Sequence, residues 1–281
     1  MLHATRRPLA CALILSLATA CSTPAPISVA QEKAIGRQAE SQYNQNLMRD
    51  AVVVKYVRDL GMELTKAAKP SPFRFNFYVV EDRSLNAFAI PGASIYVHTG
   101  LILKAKNASE LAGVMSHEIG HATARHVAQS YSQQQRIGFF ANLVGFIGLI
   151  LSGGRVDPRG ATGLAGYAYV MSFSREFESE ADSLGVETMV NAGWDPNGLP
   201  SFFETLQAES NSGGFGVPLF LRSHPFEADR AAATRKQIAD MGTLPPMKQD
   251  DEKLRAIQAR IRSLMGPDAE DPKELEKNRK R

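Results

Sequence analysis

Cysteine is scarce in this sequence, which contains 2 in 281 residues. Cys11 lies in an N-terminal segment that we expect to be removed during export, which leaves Cys21 without a partner for a disulfide bond. This excludes the small exported domains whose folds depend on several disulfide bonds. An unpaired cysteine at the first position of an exported chain is better explained as a lipid attachment site.

The chain also lacks a large excess of positive or negative charge. Lys and Arg total 32 and Asp and Glu total 29, and removal of Arg6 and Arg7 with the N-terminal segment leaves 32 − 2 = 30 basic residues against 29 acidic ones. No basic amphipathic segment stands out either. The charge pattern therefore gives no reason to expect nucleic acid as a partner.

No apolar run reaches the length of about 20 residues that a membrane-spanning helix needs. The longest run, at positions 137–151, is interrupted by Asn142, Gly145 and Gly148. We expect it to be a buried arm or an apolar flap near the functional site, and a membrane-facing segment is the alternative.

The N-terminus has the three parts of an export signal, which we assign to residues 1–20. Arg6 and Arg7 form its charged region, Leu9–Leu17 its apolar region, and Ala18-Thr19-Ala20 a cleavage site of the A-x-A form. This pattern predicts a protein that leaves the cytoplasm.

The residues around the cleavage site also resemble a bacterial lipobox that ends at Cys21, although Ala18 stands where a larger aliphatic residue is usual. Ser22 resembles the pattern for sorting to the outer membrane. We therefore predict a periplasmic protein that is anchored to the outer membrane by a lipid on Cys21, and simple secretion is the alternative.

One folded domain is predicted after this signal. Residues 21–30 contain two prolines and resemble a tether, residues 31–265 form the domain, and residues 266–281 alternate in charge and are predicted to be disordered. Helical periodicity is found near residue 31, from residue 50 to a stop at Lys69-Pro70, after Asn107, and at 174–190, 199–206, 227–241 and 250–265. Strands are predicted at Phe73–Val80 and Ala93–His98. The fold class is therefore α+β, mostly helical with a small sheet.

The segment Ser-His-Glu-Ile-Gly-His-Ala contains the H-E-x-x-H pattern at His117, Glu118 and His121. On a helix, two histidines four residues apart project from one face, where two neutral imidazoles can bind the same divalent cation. Glu118 stands beside them, within reach of a water molecule that the metal activates. His126, nine residues after His117, falls on the opposite face and is expected to be an exposed or capping residue.

A third metal ligand is expected on a later helix. Among the glutamates of the acidic segment 175–182, only Glu178 is followed four residues later by an aspartate, Asp182. Glu178 could bind the metal while Asp182 accepts the far N–H of a ligand histidine. Glu176 and Glu180 are expected to point into solvent.

His224 and Arg230 are candidates for a role beside the metal, because an imidazole and a permanently charged guanidinium can stabilise a developing oxyanion. His224 could instead fill the open metal position and keep an enzyme inactive. A turn histidine and a helix-surface arginine without a catalytic role remain a third interpretation.

Taken together, these motifs resemble the gluzincin metallopeptidases of the HtpX and CAAX prenyl endopeptidase type, and most closely their soluble periplasmic, BepA/LoiP-like branch. The resemblance covers about residues 31–240 and includes the segment Asn86–Gly92. It implies Zn²⁺ as cofactor, with His117, His121 and Glu178 as ligands and Glu118 as general base. It also implies that the strand Ala93, Ser94, Ile95, Tyr96, Val97 and His98 pairs with an extended substrate. The chain lacks the multiple spans of the prenyl-protein branch and has little room for a tetratricopeptide array.

The expected function is that of a zinc endopeptidase that cleaves unfolded or misassembled envelope proteins, with Glu118, His224 and Arg230 as catalytic residues. The alternative is a lipoprotein chaperone or assembly factor that binds outer-membrane proteins in the same groove. A hydrolase of cell-wall peptides is a weaker third possibility, because nothing in the sequence resembles a saccharide-binding module.

Overall fold

A computed structural model of the chain describes residues 27–42, 46–133, 173–211, 217–224, 229–249 and 252–266. Its helices are α1 (Val29–Gln42), α2 (Ala51–Ala67), α3 (Thr99–Lys104), α4 (Ala108–Ala124), α5 (His126–Gln133), α6 (Arg175–Asn191), α7 (Gly198–Asn211), α8 (Leu219–Ser223), α9 (Arg230–Asp240) and α10 (Glu252–Met265). Its strands are β1 (Asn76–Val80), β2 (Ala87–Ile90) and β3 (Ser94–His98). The predicted α+β class is confirmed. The apolar segment 137–151 and the export signal lie outside the described residues.

Helix α4 forms the centre of the domain. Every residue from Ala108 to Ala122 is buried, and the helix packs against the sheet and against α2, α6 and α7. The predicted start is confirmed, because Oδ1 of Asn107 accepts a hydrogen bond from the backbone N–H of Glu110 at 3.0 Å. The central position of α4 fixes the H-E-x-x-H side chains within the hydrophobic core.

Small residues allow α4 and α6 to cross at short distance. A Cβ atom added to Gly120 of α4 would lie 2.9 Å from the carbonyl oxygen of Ala181, and one added to Gly185 of α6 would lie 3.2 Å from the backbone nitrogen of His117. The close crossing brings the acidic segment of α6 next to the two histidines of α4.

The sheet has the order β1-β3-β2, with β3 parallel to β1 and antiparallel to β2. Both edges of β3 are therefore occupied by neighbouring strands, and residues Ala93 to His98 are buried. The predicted pairing of a substrate with Ala93–His98 is wrong for this sheet, because β3 has no free edge. The edge strand next to α4 is β2, and the backbone N–H of Ala89 in β2 donates a hydrogen bond to the Glu118 carboxylate.

No helix in the described ranges is long and apolar enough to cross a membrane.

Candidate metal centre

The two histidines of the H-E-x-x-H pattern lie on one face of α4, as their spacing predicts. Their Nε2 atoms are 3.0 Å apart, and both side chains are buried. Two imidazole nitrogens that point to one position in an apolar interior can provide two of the four ligands of a zinc ion.

Glu178 adds a carboxylate from the first turn of α6, which begins after the capping side chain of Ser174. Its Oε2 lies 3.6 Å from Nε2 of His117 and its Oε1 lies 3.4 Å from Nε2 of His121. Burial would raise the pKa of Glu178, but the charges of His224 and His121 and the hydrogen bonds from them hold it well below its usual value. The carboxylate is therefore ionised and able to bind a cation.

His224, the residue after α8, supplies a fourth donor atom. Its Nδ1 is 3.0 Å from Oε1 of Glu178 and 3.3 Å from Nε2 of His117, and its Nε2 is 3.4 Å from Oε1 of Glu118. The ring of Phe220 stacks on the imidazole, with centroids 4.4 Å apart. The structure thus places His224 in the ligand group, which agrees with the hypothesis that it fills the fourth metal position.

These four side chains fit a zinc ion. One ligand atom from each of His117, His121, Glu178 and His224 lies within 4.8 Å of the others. A tetrahedral zinc ion with bonds of about 2.0–2.1 Å separates its ligand atoms by about 3.3 Å, which is close to the contacts of 3.0–3.6 Å measured here. Three imidazoles and one carboxylate are also the nitrogen and oxygen donors that zinc accepts.

Glu118 lies beside this group and is itself buried. Burial raises the pKa of its carboxyl group, although the charges of His224 and His117 and the N–H of Ala89 act in the opposite direction. A carboxyl group with a raised pKa is a stronger base than an ordinary surface glutamate and is better suited to accept a proton.

A second layer of charges supports the ligands. Oδ1 of Asp182 lies 2.9 Å from Nδ1 of His117, in the position predicted from the spacing of Glu178 and Asp182. Arg230, at the start of α9, contacts both carboxylates: Nε and Nη2 reach Asp182 at 2.9 and 2.8 Å, and Nη1 reaches Glu178 at 2.8 Å. In this arrangement Arg230 holds two acidic side chains in place, which differs from the expected role as an oxyanion donor.

The sequence reasoning missed His126 and Glu180. His126 was expected to be exposed or capping, yet it is fully buried with its Nδ1 2.8 Å from Nδ1 of His121. Its Nε2 lies 3.2 Å from Oε2 of Glu180, a residue that was expected to point only into solvent. The helical projection failed because α4 ends at Ala124 and Arg125 has a left-handed backbone with φ of 59°. No signal in the single sequence marks this reversal, since Arg125 is not a glycine.

His98 has a local structural role in the described residues. Its Nδ1 lies 2.8 Å from Oγ of Ser84 and 3.6 Å from Oδ1 of Asp82. The ring thus joins the end of β3 to the loop after β1.

Comparison with known proteins agrees with this geometry. Residues 52–238 match the model of peptidase family M48, which is two thirds of the chain. The chain belongs to peptidase family M48. The resemblance seen in its motifs is thereby confirmed, and the described domain is an M48 metallopeptidase domain. The family and the donor set together identify one zinc ion as its metal.

Several relatives share most of the M48 domain. The chain is 32% identical over 238 residues to the beta-barrel assembly-enhancing protease of Escherichia coli strain K12, which covers 82% of this chain and 48% of the relative. It is 31% identical over 254 residues to the protein of that name in Yersinia pestis, covering 88% and 51%. It is also 35% identical over 147 residues to the mitochondrial metalloendopeptidase OMA1 of Arabidopsis thaliana, covering 52% and 28%. The chain spans about half the length of the bacterial relatives.

Proposed function

We propose that this M48 protein is a zinc-dependent endopeptidase that cleaves unfolded or misassembled polypeptides of the bacterial envelope. The observation that carries the proposal is the position of Glu118 next to the ligand group of His117, His121 and Glu178, with its carboxylate oriented by the N–H of Ala89. This arrangement places a proton acceptor, a cation site and a strand edge within one small region.

A zinc ion held by His117, His121 and Glu178 would supply a Lewis acid for activating water and polarising a peptide carbonyl. Glu118 accepts the proton of the attacking water and then transfers it to the nitrogen of the leaving chain. Asp182 and Arg230 act as positioning residues, because Asp182 contacts the ligand His117 and Arg230 contacts the ligand Glu178.

The edge of β2 is the place where we propose that a substrate strand binds. The carbonyl groups of Asn86 and Ile90 accept hydrogen bonds from the β3 side, from His98 and Ala93, whereas the N–H of Ala89 faces Glu118. Because successive residues of a strand alternate, the N–H and C=O groups of Ala89, which is partly exposed, face away from β3. Pairing through the backbone requires an extended substrate but little sequence preference, which suits the cleavage of unfolded chains.

The location and the partners belong to the proposal as well. Two of the relatives are named for enhancing beta-barrel assembly, which supports envelope polypeptides as substrates for this chain. The export signal at 1–20 and the lipobox-like Cys21 support a periplasmic protein with a lipid anchor in the outer membrane. The tether predicted at 21–30 is shorter than expected, because Ile27 is buried and α1 begins at Val29. No nucleic acid is expected.

A second function is favoured by His224. Structural zinc sites have four protein ligands, whereas catalytic sites keep one position open for water. With Nδ1 of His224 among the four donor atoms, the site described here is closed. A lipoprotein chaperone or assembly factor that binds envelope proteins along β2 is consistent with this closed site.

The replacement Glu118→Gln distinguishes the two functions. If the protein is a peptidase, this variant keeps its zinc but cleaves unfolded β-casein about 10²–10⁴ times more slowly than the wild type, because only the proton acceptor is lost. The exposed Glu176→Gln variant is the matched control and should cleave at the wild-type rate. Undiminished cleavage by Glu118→Gln would contradict the mechanism. Equal rescue of an envelope-stress phenotype by the wild type and Glu118→Gln would favour the chaperone function.

A further inference from the structure

The two ligand histidines of α4 are supported in different ways. Nδ1 of His117 lies 2.9 Å from Oδ1 of the Asp182 carboxylate. Nδ1 of His121 faces a second imidazole, that of His126, at 2.8 Å, and the far nitrogen of His126 is 3.2 Å from the Glu180 carboxylate. Asp182 and Glu180 both belong to α6, so one helix supports both ligands, directly in one case and through an intervening histidine in the other.

The positions of the ring protons on His121 and His126 can be assigned from the chemistry of imidazole. A neutral imidazole has one N–H donor and one nitrogen acceptor. His121 offers Nε2 to the ligand group, so its proton must be on Nδ1, and it donates to Nδ1 of His126. His126 then accepts at Nδ1 and must carry its own proton on Nε2, which donates to Glu180. Glu180 therefore fixes the tautomer of His126, and His126 fixes the tautomer of His121.

Aromatic rings shield the pair of imidazoles from solvent. Phe173 stacks on His121 with centroids 4.2 Å apart, and Phe177 stacks on His126 with centroids 4.4 Å apart. His126 is fully buried. A buried N–H without an acceptor is unfavourable, and water has little access to this position, so water is a poor substitute for the acceptor that His126 provides.

The backbone at Arg125 is what places His126 in this position. Arg125 has a φ of 59°, which ends α4 and turns the chain back, and its side chain is held by Oε2 of Glu32 at 2.8 Å and by the carbonyl oxygen of Ile27 at 2.6 Å. A left-handed backbone is unfavourable at a non-glycine residue, so the contacts of the Arg125 side chain must stabilise it. Helix α1, which carries Glu32, thus helps to hold the imidazole against His121.

We infer that His126 is a positioning residue for the zinc ligand His121, and that Glu180 fixes the tautomer in which His126 accepts the Nδ1 proton of His121. The inference rests on the proposed function in assuming that His121 binds zinc, but it concerns metal affinity and not cleavage. Such partners of a ligand histidine orient the ring and raise its basicity, and their loss lowers metal affinity about 10–100-fold.

The test compares zinc dissociation constants, measured by chelator competition, for full-length variants. His126→Phe keeps a ring that can stack on Phe177 but removes the acceptor, and we expect its zinc affinity to fall about 10–100-fold. His126→Asn keeps an acceptor near the position of Nδ1, and its loss should be under about tenfold. Glu180→Gln should lose affinity by a smaller factor than His126→Phe because Glu180 is 53% exposed, and the control Glu176→Gln should lose none.

A spectroscopic measurement on the wild type does not depend on the folding of any variant. With ¹⁵N-labelled histidine, the zinc-loaded full-length chain has six histidines to assign, of which His3 lies in the predicted export signal. We expect a proton on Nδ1 of His121 and on Nε2 of His126, with Nδ1 of His126 unprotonated. A proton on Nδ1 of His126, or equal zinc affinities for His126→Phe and the wild type, would overturn the inference.

The two proposals can fail separately. If the wild type binds zinc with the expected tautomers but cleaves no polypeptide, the peptidase proposal fails and the role of His126 stands. If the wild type cleaves β-casein while His126→Phe retains full zinc affinity, the role of His126 fails and the peptidase proposal stands.

Discussion

Nδ1 of His224 lies 3.0 Å from Oε1 of Glu178, so the His224 imidazole lies within the proposed group of metal ligands. The same ring faces Glu118 with its Nε2, at 3.4 Å. One side chain thus occupies the space between the ligand group and the proposed proton acceptor, where the reacting water and the substrate carbonyl would have to lie. Under the proposed peptidase function, His224 must leave this position before a peptide is cleaved.

We expect the variant His224→Ala to cleave unfolded β-casein faster than the wild type, while binding zinc more weakly because one donor is lost. If the resting site is closed about 90% of the time, the gain is about tenfold. The exposed Arg222→Ala variant on α8 serves as the control. A fall in cleavage instead would show that His224 acts as an oxyanion donor, the role first considered from the sequence.

The crossing of α4 and α6 predicts a cost for the variant Gly120→Ala. The added Cβ would lie 2.9 Å from the carbonyl oxygen of Ala181, so the helices must move apart. Overpacking costs about 1–3 kcal/mol, which exceeds the gain of at most about 1 kcal/mol in helix propensity. We expect lower thermal stability and lower zinc affinity, measured by calorimetry and chelator competition. The exposed Ser179→Ala variant is the control, and an unchanged zinc affinity for Gly120→Ala would contradict the prediction.

We expect Asp82, in the loop after β1, to make the free energy of unfolding depend on pH in the acid range. Burial alone would raise the pKa of Asp82, but hydrogen bonds from His98 and Ser84 and the charge of His98 lower it to about 2 from a usual value of 3.8. A lowered carboxyl pKa stabilises the folded state above the unfolded value, and this stabilisation is lost as the pH falls from about 4 to about 2. It amounts to about 1 kcal/mol after allowance for solvent screening.

The measurement is chemical denaturation of the wild type and Asp82→Asn between pH 7 and pH 2. The wild type should be more stable than the variant at pH 7, and the difference should shrink towards pH 2. Asp240→Asn, at an exposed aspartate at the end of α9, is the control. A difference that stays constant with pH would rule out the contribution of Asp82.

Local patterns in the sequence were sufficient to predict the central features of the site. The four-residue spacings of His117 with His121 and of Glu178 with Asp182 depend only on helix geometry, and the structure brings these four residues together. The helix boundaries followed from caps and stops, such as Asn107 before α4 and Pro70 after α2. These features could be predicted because neighbours along the chain determine them.

Features that depend on tertiary contacts were missed. The neighbours of β3 are decided by how β1, β2 and α4 pack, and nothing within residues 93–98 distinguishes a central from an edge strand. His126 reaches His121 only because Arg125 leaves the helical path, and the contacts of Arg125 lie 93 and 98 residues earlier in the chain. Sequence periodicity contains no information about such distant partners.

The metal-binding side chains are widely separated along the chain. His224 lies 46 residues after Glu178 and 107 residues after His117. A nascent copy that has not yet brought α6 and the residue after α8 against α4 holds only the two histidines of α4. The complete set of zinc ligands therefore forms only once these distant segments have packed together.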